Sequence, residues 1–258
     1  MARLRAEPLS RRHETGAGGL TRPADTVSEA AVGSGSDRWA VERIRGRSAA
    51  FQVLGAGPAV RRVVRLVDPG GALLVLGSTQ PDGVVDAARV ASADVSVARR
   101  RSGGGAVLLR PGETVWVDVL VPRSDVLWDD DVHRAFRWLG AAWVAALAAL
   151  GVDAVRHEGA ASCTAWSGLV CFGGIGAGEV TLADGRKVVG ISQRRTREGA
   201  LFQCAALLRW DAAALVDLLV LSDDERAAAT TALTDAATGL AVDTDALTAA
   251  LLTELARV

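Results

Sequence analysis

Short apolar runs, many of them alternating with polar positions, fill the middle of the chain and are punctuated by Gly and Pro. Arg62–Val67 leads into Pro69-Gly70-Gly71 and then Ala72–Gly77, a pattern that predicts two strands joined by a turn. Val84–Ser92 reads as a short helix and Val95–Arg99 as a strand. Two further strands, Ala106–Leu109 and Thr114–Val121, flank an Arg110-Pro111-Gly112 turn. In the second, Trp116 and Asp118 alternate with Val115, Val117 and Val119, as a pleated surface requires. The period then changes. Val132, Phe136, Leu139, Trp143, Leu147 and Leu150 recur at helical spacing, with Gly151 as the stop. Asp129, Asp130 and Asp131 favour that helix's N-terminus, because the macrodipole attracts anions there. A hairpin follows: Glu179–Leu182, an Asp184-Gly185 turn, and Lys187–Ser192. Leu201–Leu208 predicts one more strand, and the tail from Asp211 to Val258 is helical, starting at the capping-box pattern Ser222-Asp223-Asp224-Glu225.

Antiparallel strands around one long helix, with helices trailing, predict an α+β layered fold. Residues 1–37 are rich in Gly, Ser, Ala, Arg and Glu without apolar periodicity and are expected to be a disordered leader. Order is expected from about Trp39, with one domain over residues 38–210 and a helical extension over 211–258.

Composition narrows the class. Half of the 258 residues are hydrophobic, yet no run approaches the ~18 apolar residues that span a bilayer. The Ala-rich stretch Leu139–Leu150 reads instead as a buried helix, and the early arginines precede no apolar signal segment. A formal charge of −1 gives no electrostatic footprint for nucleic acid. Cys163, Cys171 and Cys204 lack metal-ligand spacing and suit free thiols in a reducing compartment. These features predict a soluble cytoplasmic protein with neither a nucleic-acid nor a membrane partner and no metal-ligating residues. One bias is informative: of 29 basic residues only Lys187 is lysine. Where arginine is otherwise universal, a retained lysine suggests a need for a compact ammonium on a flexible stem.

Two constellations carry chemistry. In Arg99-Arg100-Arg101-Ser102-Gly103-Gly104-Gly105-Ala106-Val107 a strand runs into arginines, three glycines and a second strand. Bare backbone lets a ligand approach closely, and rim arginines can clamp a phosphate or carboxylate. This is not a Walker loop, because no Gly-Lys-Ser/Thr follows. In the second, the Asp184-Gly185 turn places Lys187 at an exposed hairpin edge with Gly190 three residues on. There an ammonium could neutralise charge building on a leaving phosphate. The edge position predicts that Lys187→Ala abolishes turnover while the fold survives.

Together these residues resemble the lipoate–protein ligase family. Arg100-Arg101-Ser102-Gly103-Gly104-Gly105-Ala106-Val107 looks like its lipoate-binding loop, and Lys187-x-x-Gly190-x-x-Gln193-x-Arg195 like its lysine strand. Gly77-Ser78-Thr79-Gln80 resembles the Gly-x-x-Gln ahead of the loop, and Val170-Cys171-Phe172 also recurs in members. Biotin ligases share the fold, but their Gly-Arg-Gly-Arg loop lacks the triplet.

The resemblance implies a biotin/lipoate ligase-type catalytic domain, a mostly antiparallel mixed sheet packed with helices. It implies activation of lipoate by ATP and Mg2+ to lipoyl-AMP and transfer to a carrier-domain lysine. Implied partners are lipoyl carrier domains of 2-oxoacid dehydrogenase complexes or the glycine cleavage H protein, with lipoate or octanoate as the small molecule. Lys187 would hold the adenylate, while Gln80, Arg100, Arg101, Ser102, Gly103, Gly104, Gly105, Ala106, Val107 and Gly190 would line it. Three departures stand out. Leu108-Leu109-Arg110-Pro111 replaces the family's aromatic-His-Asp, Gln203-Cys204 replaces a His-Gly pair, and no acidic opening helix precedes Arg61. Two alternatives follow: an ATP-independent octanoyl or lipoyl transferase with Cys171 as nucleophile and Cys204 as second choice, or a non-catalytic lipoyl- or adenylate-binding homologue.

Overall fold

The structure is a computed structural model that describes residues 39–46 and 61–258, together with the backbone of 26–30. Eleven strands form two sheets among the described residues. The strands are β1 (Thr26–Ala30), β2 (Trp39–Arg45), β3 (Arg62–Asp68), β4 (Leu73–Leu76), β5 (Ser96–Arg99), β6 (Val107–Leu109), β7 (Thr114–Pro122), β8 (Ala154–Arg156), β9 (Val180–Leu182), β10 (Lys187–Arg195) and β11 (Gly199–Leu207). The large sheet runs β1-β2-β3-β7-β11-β10-β9-β8 and the small one β5-β4-β6. Only β2–β3 and β4–β5 pair in parallel. The helices are α1 (Ala87–Ser92), α2 (Arg137–Ala149), α3 (Ala212–Val216), α4 (Asp223–Thr234) and α5 (Thr244–Leu255).

Alternation in the central strands sets the layering. Val115, Val117 and Val119 of β7 and Phe202, Cys204 and Ala206 of β11 face α2, where Leu139, Trp143 and Leu147 are fully buried. Burying each such side chain contributes roughly 1.5–3 kcal/mol. The opposite face presents Trp116, Ala205 and Leu207 to Leu73, Val75, Val107 and Leu109 of the small sheet. The tail is not a separate layer: Leu247, Leu251 and Leu255 of α5 enter the same core as α2.

The expected α+β class holds, with several local corrections. Part of the expected leader, Thr26–Ala30, is a strand paired antiparallel with β2; the rest of residues 1–37 lies outside the described residues. The strands flanking Arg110-Pro111-Gly112 separate, β6 joining the small sheet and β7 the large one. The Val84–Ser92 helix is broken into a 3-10 turn, Asp82–Val84, and α1, whose Asp86 side chain caps Ala88 and Arg89. The long helix starts later than Val132. Asp131 Oδ1 accepts from His133 N and Arg134 N, the next turn is 3-10, and Val132 is left 46% exposed. The capping box at Ser222 and Glu225 forms in both directions.

Candidate active site

The glycine run crosses from β5 to β6 between the small sheet and the segment 168–174. Ala106 N donates to Leu169 O (2.8 Å) and Cys171 N to Ala106 O (3.0 Å). Contact is so close at Gly105 that an added Cβ would lie 2.5 Å from the Val170 backbone. Glycine there is a packing requirement. Gly103 differs, since a Cβ on it would meet nothing within 4 Å.

Arg100 does not stand at the rim. It is 2% exposed and turns inward. Its Nη2 donates to Gly103 O (2.7 Å) and Gly105 O (2.9 Å), so its role in the structure is to hold the shape of the loop. Burial lowers its pKa, opposed by the nearby Cys171 and Glu179. Gln80 is also scaffold: Oε1 accepts from Gly77 N, and Nε2 donates to Gly168 O and Leu169 O, tying this turn to the segment behind the loop. Arg101 is exposed, and its carbonyl accepts from Arg194 Nη1 at 3.5 Å. Ala106 and Val107 are buried.

Lys187 begins β10, but it is 2% exposed rather than at an open edge. The tail covers it, with Lys187 N donating to Ala236 O and Thr238 N to Lys187 O. Its ammonium bonds to Glu179 Oε2 (2.7 Å), Cys171 O (2.9 Å) and Gly174 O (3.0 Å), and lies 5.0 Å from the centre of the Phe172 ring. Three donors thus meet three acceptors. Glu179 is itself oriented, by Gly176 N on Oε2 and Ile191 N on Oε1. Sequence reasoning missed Glu179; a carboxylate eight residues before a lone lysine, across a hairpin turn, was the available signal.

Gly190 is where the lysine strand meets the Cys171–Phe172 segment that docks on the glycine loop. A Cβ there would lie 3.3 Å from Lys187 Cε, 3.5 Å from Phe172 and 3.6 Å from Cys171 Sγ. Cys171 is half-buried, whereas Cys204 is fully buried on the α2 side, where desolvation pushes its thiol up to about 12. Full burial of Cys204 in the core against α2 leaves Cys171 the more accessible of these two thiols.

Strand register reveals a further set. Glu42, Arg65, Asp118, Gln203 and Ser192 stand opposite one another across β2, β3, β7, β11 and β10. On this row Glu42 pairs with Arg65 (2.6 Å), Gln203 Nε2 donates to Asp118 Oδ1 (3.2 Å), and Ser102 Oγ reaches both Gln203 Oε1 and Ser192 Oγ (2.7 Å each). The glycine loop is therefore anchored on the sheet through Ser102.

The lipoyl protein ligase A/B catalytic domain matches residues 56–254, and the chain belongs to that family. Its fold is similar to a bi-partite lipoate protein ligase from Thermoplasma acidophilum, described with its E2 lipoyl domain (TM-score 0.68, 19% identity, 87% of this chain and 84% of that one). It is also similar to lipoate-protein ligase A bound with ATP (0.64, 20%, 85% and 84%). A third likeness is to a T. acidophilum protein with bound lipoic acid (0.60, 21%, 79% and 74%). No curated protein sequence matches the chain. Among the described residues no helix is long and apolar enough to cross a membrane.

Proposed function

We propose that this chain is a lipoate–protein ligase, which activates lipoate with ATP and passes the acyl group to a lysine of a lipoyl carrier domain. The observation that carries the reading is the placement of its single lysine, buried beside Gly190 and the segment that docks on the glycine loop. The fold likeness to a ligase bound with ATP and to a protein with bound lipoic acid supports it.

In this reaction the lipoate carboxylate attacks the α-phosphorus and pyrophosphate leaves. The carrier amine then attacks the carbonyl of the mixed anhydride and AMP leaves. Lys187 neutralises the α-phosphate both as charge builds on it during attack by lipoate and as charge returns to it when AMP leaves, having exchanged one backbone carbonyl for a phosphate oxygen. Glu179 keeps the ammonium aimed, and Gly103 leaves its open side free for the acyl chain. Among the described residues no three His, Cys, Asp or Glu side chains converge on a metal site. Mg2+ would enter with the nucleotide, whose phosphates supply its ligands together with water. The carrier belongs to a 2-oxoacid dehydrogenase complex or is the glycine cleavage H protein, and the reaction takes place in the cytoplasm.

One observation favours a second reading. Cys171 Sγ and the Lys187 stem converge on Gly190, so an acyl group could be held as a thioester on Cys171 before transfer, without ATP. A mass assay separates the two. Purified chain is mixed with apo carrier domain, lipoate and Mg2+, with and without ATP, beside an octanoyl-carrier donor. The ligase reading expects lipoylated product only with ATP; product from the octanoyl donor without ATP would replace it by the transferase reading.

A further inference from the structure

None of the groups in the cross-strand row Glu42–Arg65–Asp118–Gln203–Ser192 takes part in the steps above, yet the row ends on the glycine loop. Asp118 and Gln203 are 0% and 2% exposed, and Ser102 is 1% exposed. Asp118 Oδ1 accepts from Trp116 Nε1 (2.8 Å) and Gln203 Nε2 (3.2 Å). Asp118 Oδ2 is buried with no hydrogen-bond partner among the described residues. A carboxylate in mid-sheet is costly, and a well-packed apolar residue would serve stability better. Its geometric consequence lies one residue away. Because the carboxylate can only take the amide's NH2 end, the Gln203 carbonyl is turned toward Ser102, where it accepts from both Oγ (2.7 Å) and the backbone N–H (3.3 Å). With the amide reversed, its NH2 would oppose the Ser102 N–H, donor against donor.

We propose that Asp118 is a positioning residue for acyl binding: by fixing the sense of the Gln203 amide it holds Ser102, and with it Gly103–Gly105, where the acyl substrate is bound. This rests on reading the glycine loop as the acyl site. The charged and titratable groups packed around Asp118 are Arg65 on β3, itself held by Glu42 on β2, and Cys204 on β11. Burial outweighs the hydrogen bonds from Trp116 and Gln203 and the pull of Arg65, and pushes the Asp118 carboxyl up to about 7. The grip on Gln203 therefore strengthens as the carboxyl loses its proton through neutral pH.

The test is hydrogen–deuterium exchange of the full chain, followed on peptides covering residues 100–107 and, as reference, 139–147. Asp118→Ala and Gln203→Leu should speed exchange at 100–107 by about tenfold, the effect of one lost hydrogen bond in a buried network, and leave 139–147 unchanged. They should also weaken lipoate binding by a similar factor. Wild type should gain protection at 100–107 between about pH 6 and about pH 8, after correction for intrinsic rates, while Asp118→Asn should not. If Asp118→Ala does not fold, this pH comparison with Asp118→Asn decides alone. Unchanged exchange at 100–107, an equal rise in both peptides, or the same pH response in Asp118→Asn would overturn the proposal. A loop that responds in a chain that binds no lipoate would support the positioning role and remove the acyl reading. Lipoate binding with a loop indifferent to Asp118 would do the reverse.

Discussion

Lys187 and Glu179 form a buried ion pair, Nζ to Oε2 at 2.7 Å, with side chains only 3% and 8% exposed. Removing one partner of such a pair leaves an uncompensated buried charge, which typically costs about 3–5 kcal/mol. Lys187→Ala should therefore lose turnover and also stability of that order, read from denaturant midpoints. The double variant Lys187→Met/Glu179→Gln should recover most of the stability and none of the turnover. Wild-type stability in the single variant would show that the pair is not formed in solution.

Gly105 and Gly103 are two residues apart and should respond oppositely. A Cβ on Gly105 would drive into the Val170 backbone, so Gly105→Ala should cost about 1–3 kcal/mol by overpacking. A Cβ on Gly103 meets only open space, so Gly103→Ala should leave the melting temperature alone and raise the KM for lipoate. If Gly103→Ala is kinetically silent, the acyl chain does not lie on that side of the loop.

Cys171→Ser keeps the size and hydrogen-bonding backbone of a residue whose carbonyl holds Lys187 (2.9 Å). The ligase reading expects ATP-driven lipoylation within about threefold of wild type, a difference of under 1 kcal/mol in barrier height. Complete loss of acyl transfer would assign the thiol a covalent role.

Asp118 titrates at about 7 in the folded chain against an ordinary value of 3.8. A carboxyl raised in this way contributes stability that is full below the unfolded value and is lost as pH rises through the folded one. Asp118→Asn removes that dependence. Between about pH 5 and about pH 8 the variant should gain on wild type by on the order of 2 kcal/mol in chemical denaturation. A stability difference independent of pH would place the Asp118 carboxyl in an ordinary titration range.

Much of the frame was legible in the sequence because it depends on local patterns. Alternation of Val115, Val117 and Val119 with Trp116 and Asp118 set β7, and the Asp184-Gly185 turn, with Gly185 at φ +86°, set the β9–β10 hairpin. The single lysine and the glycine triplet were the features from which the candidate site could be proposed. What escaped depends on packing between distant segments. Nothing local to Lys187 shows that Ala236 and Thr238 cover it, or that Arg100, 87 residues earlier, folds back to bond its own loop. The Asp118–Gln203–Ser102 chain needs the register of β7 on β11, which strand-length runs of hydrophobic residues do not specify. Val132 has the spacing of a first core position of a helix; Asp131 instead accepts from the His133 and Arg134 amides ahead of a 3-10 turn, and Val132 is left outside.

Lipoate-dependent exchange of pyrophosphate into ATP, measured without any carrier domain, tests adenylate formation centred on Lys187 most directly. Wild type should exchange only when lipoate is present, and the folded Lys187→Met/Glu179→Gln variant should not exchange at all. No exchange in wild type, or undiminished exchange in the variant, would contradict it.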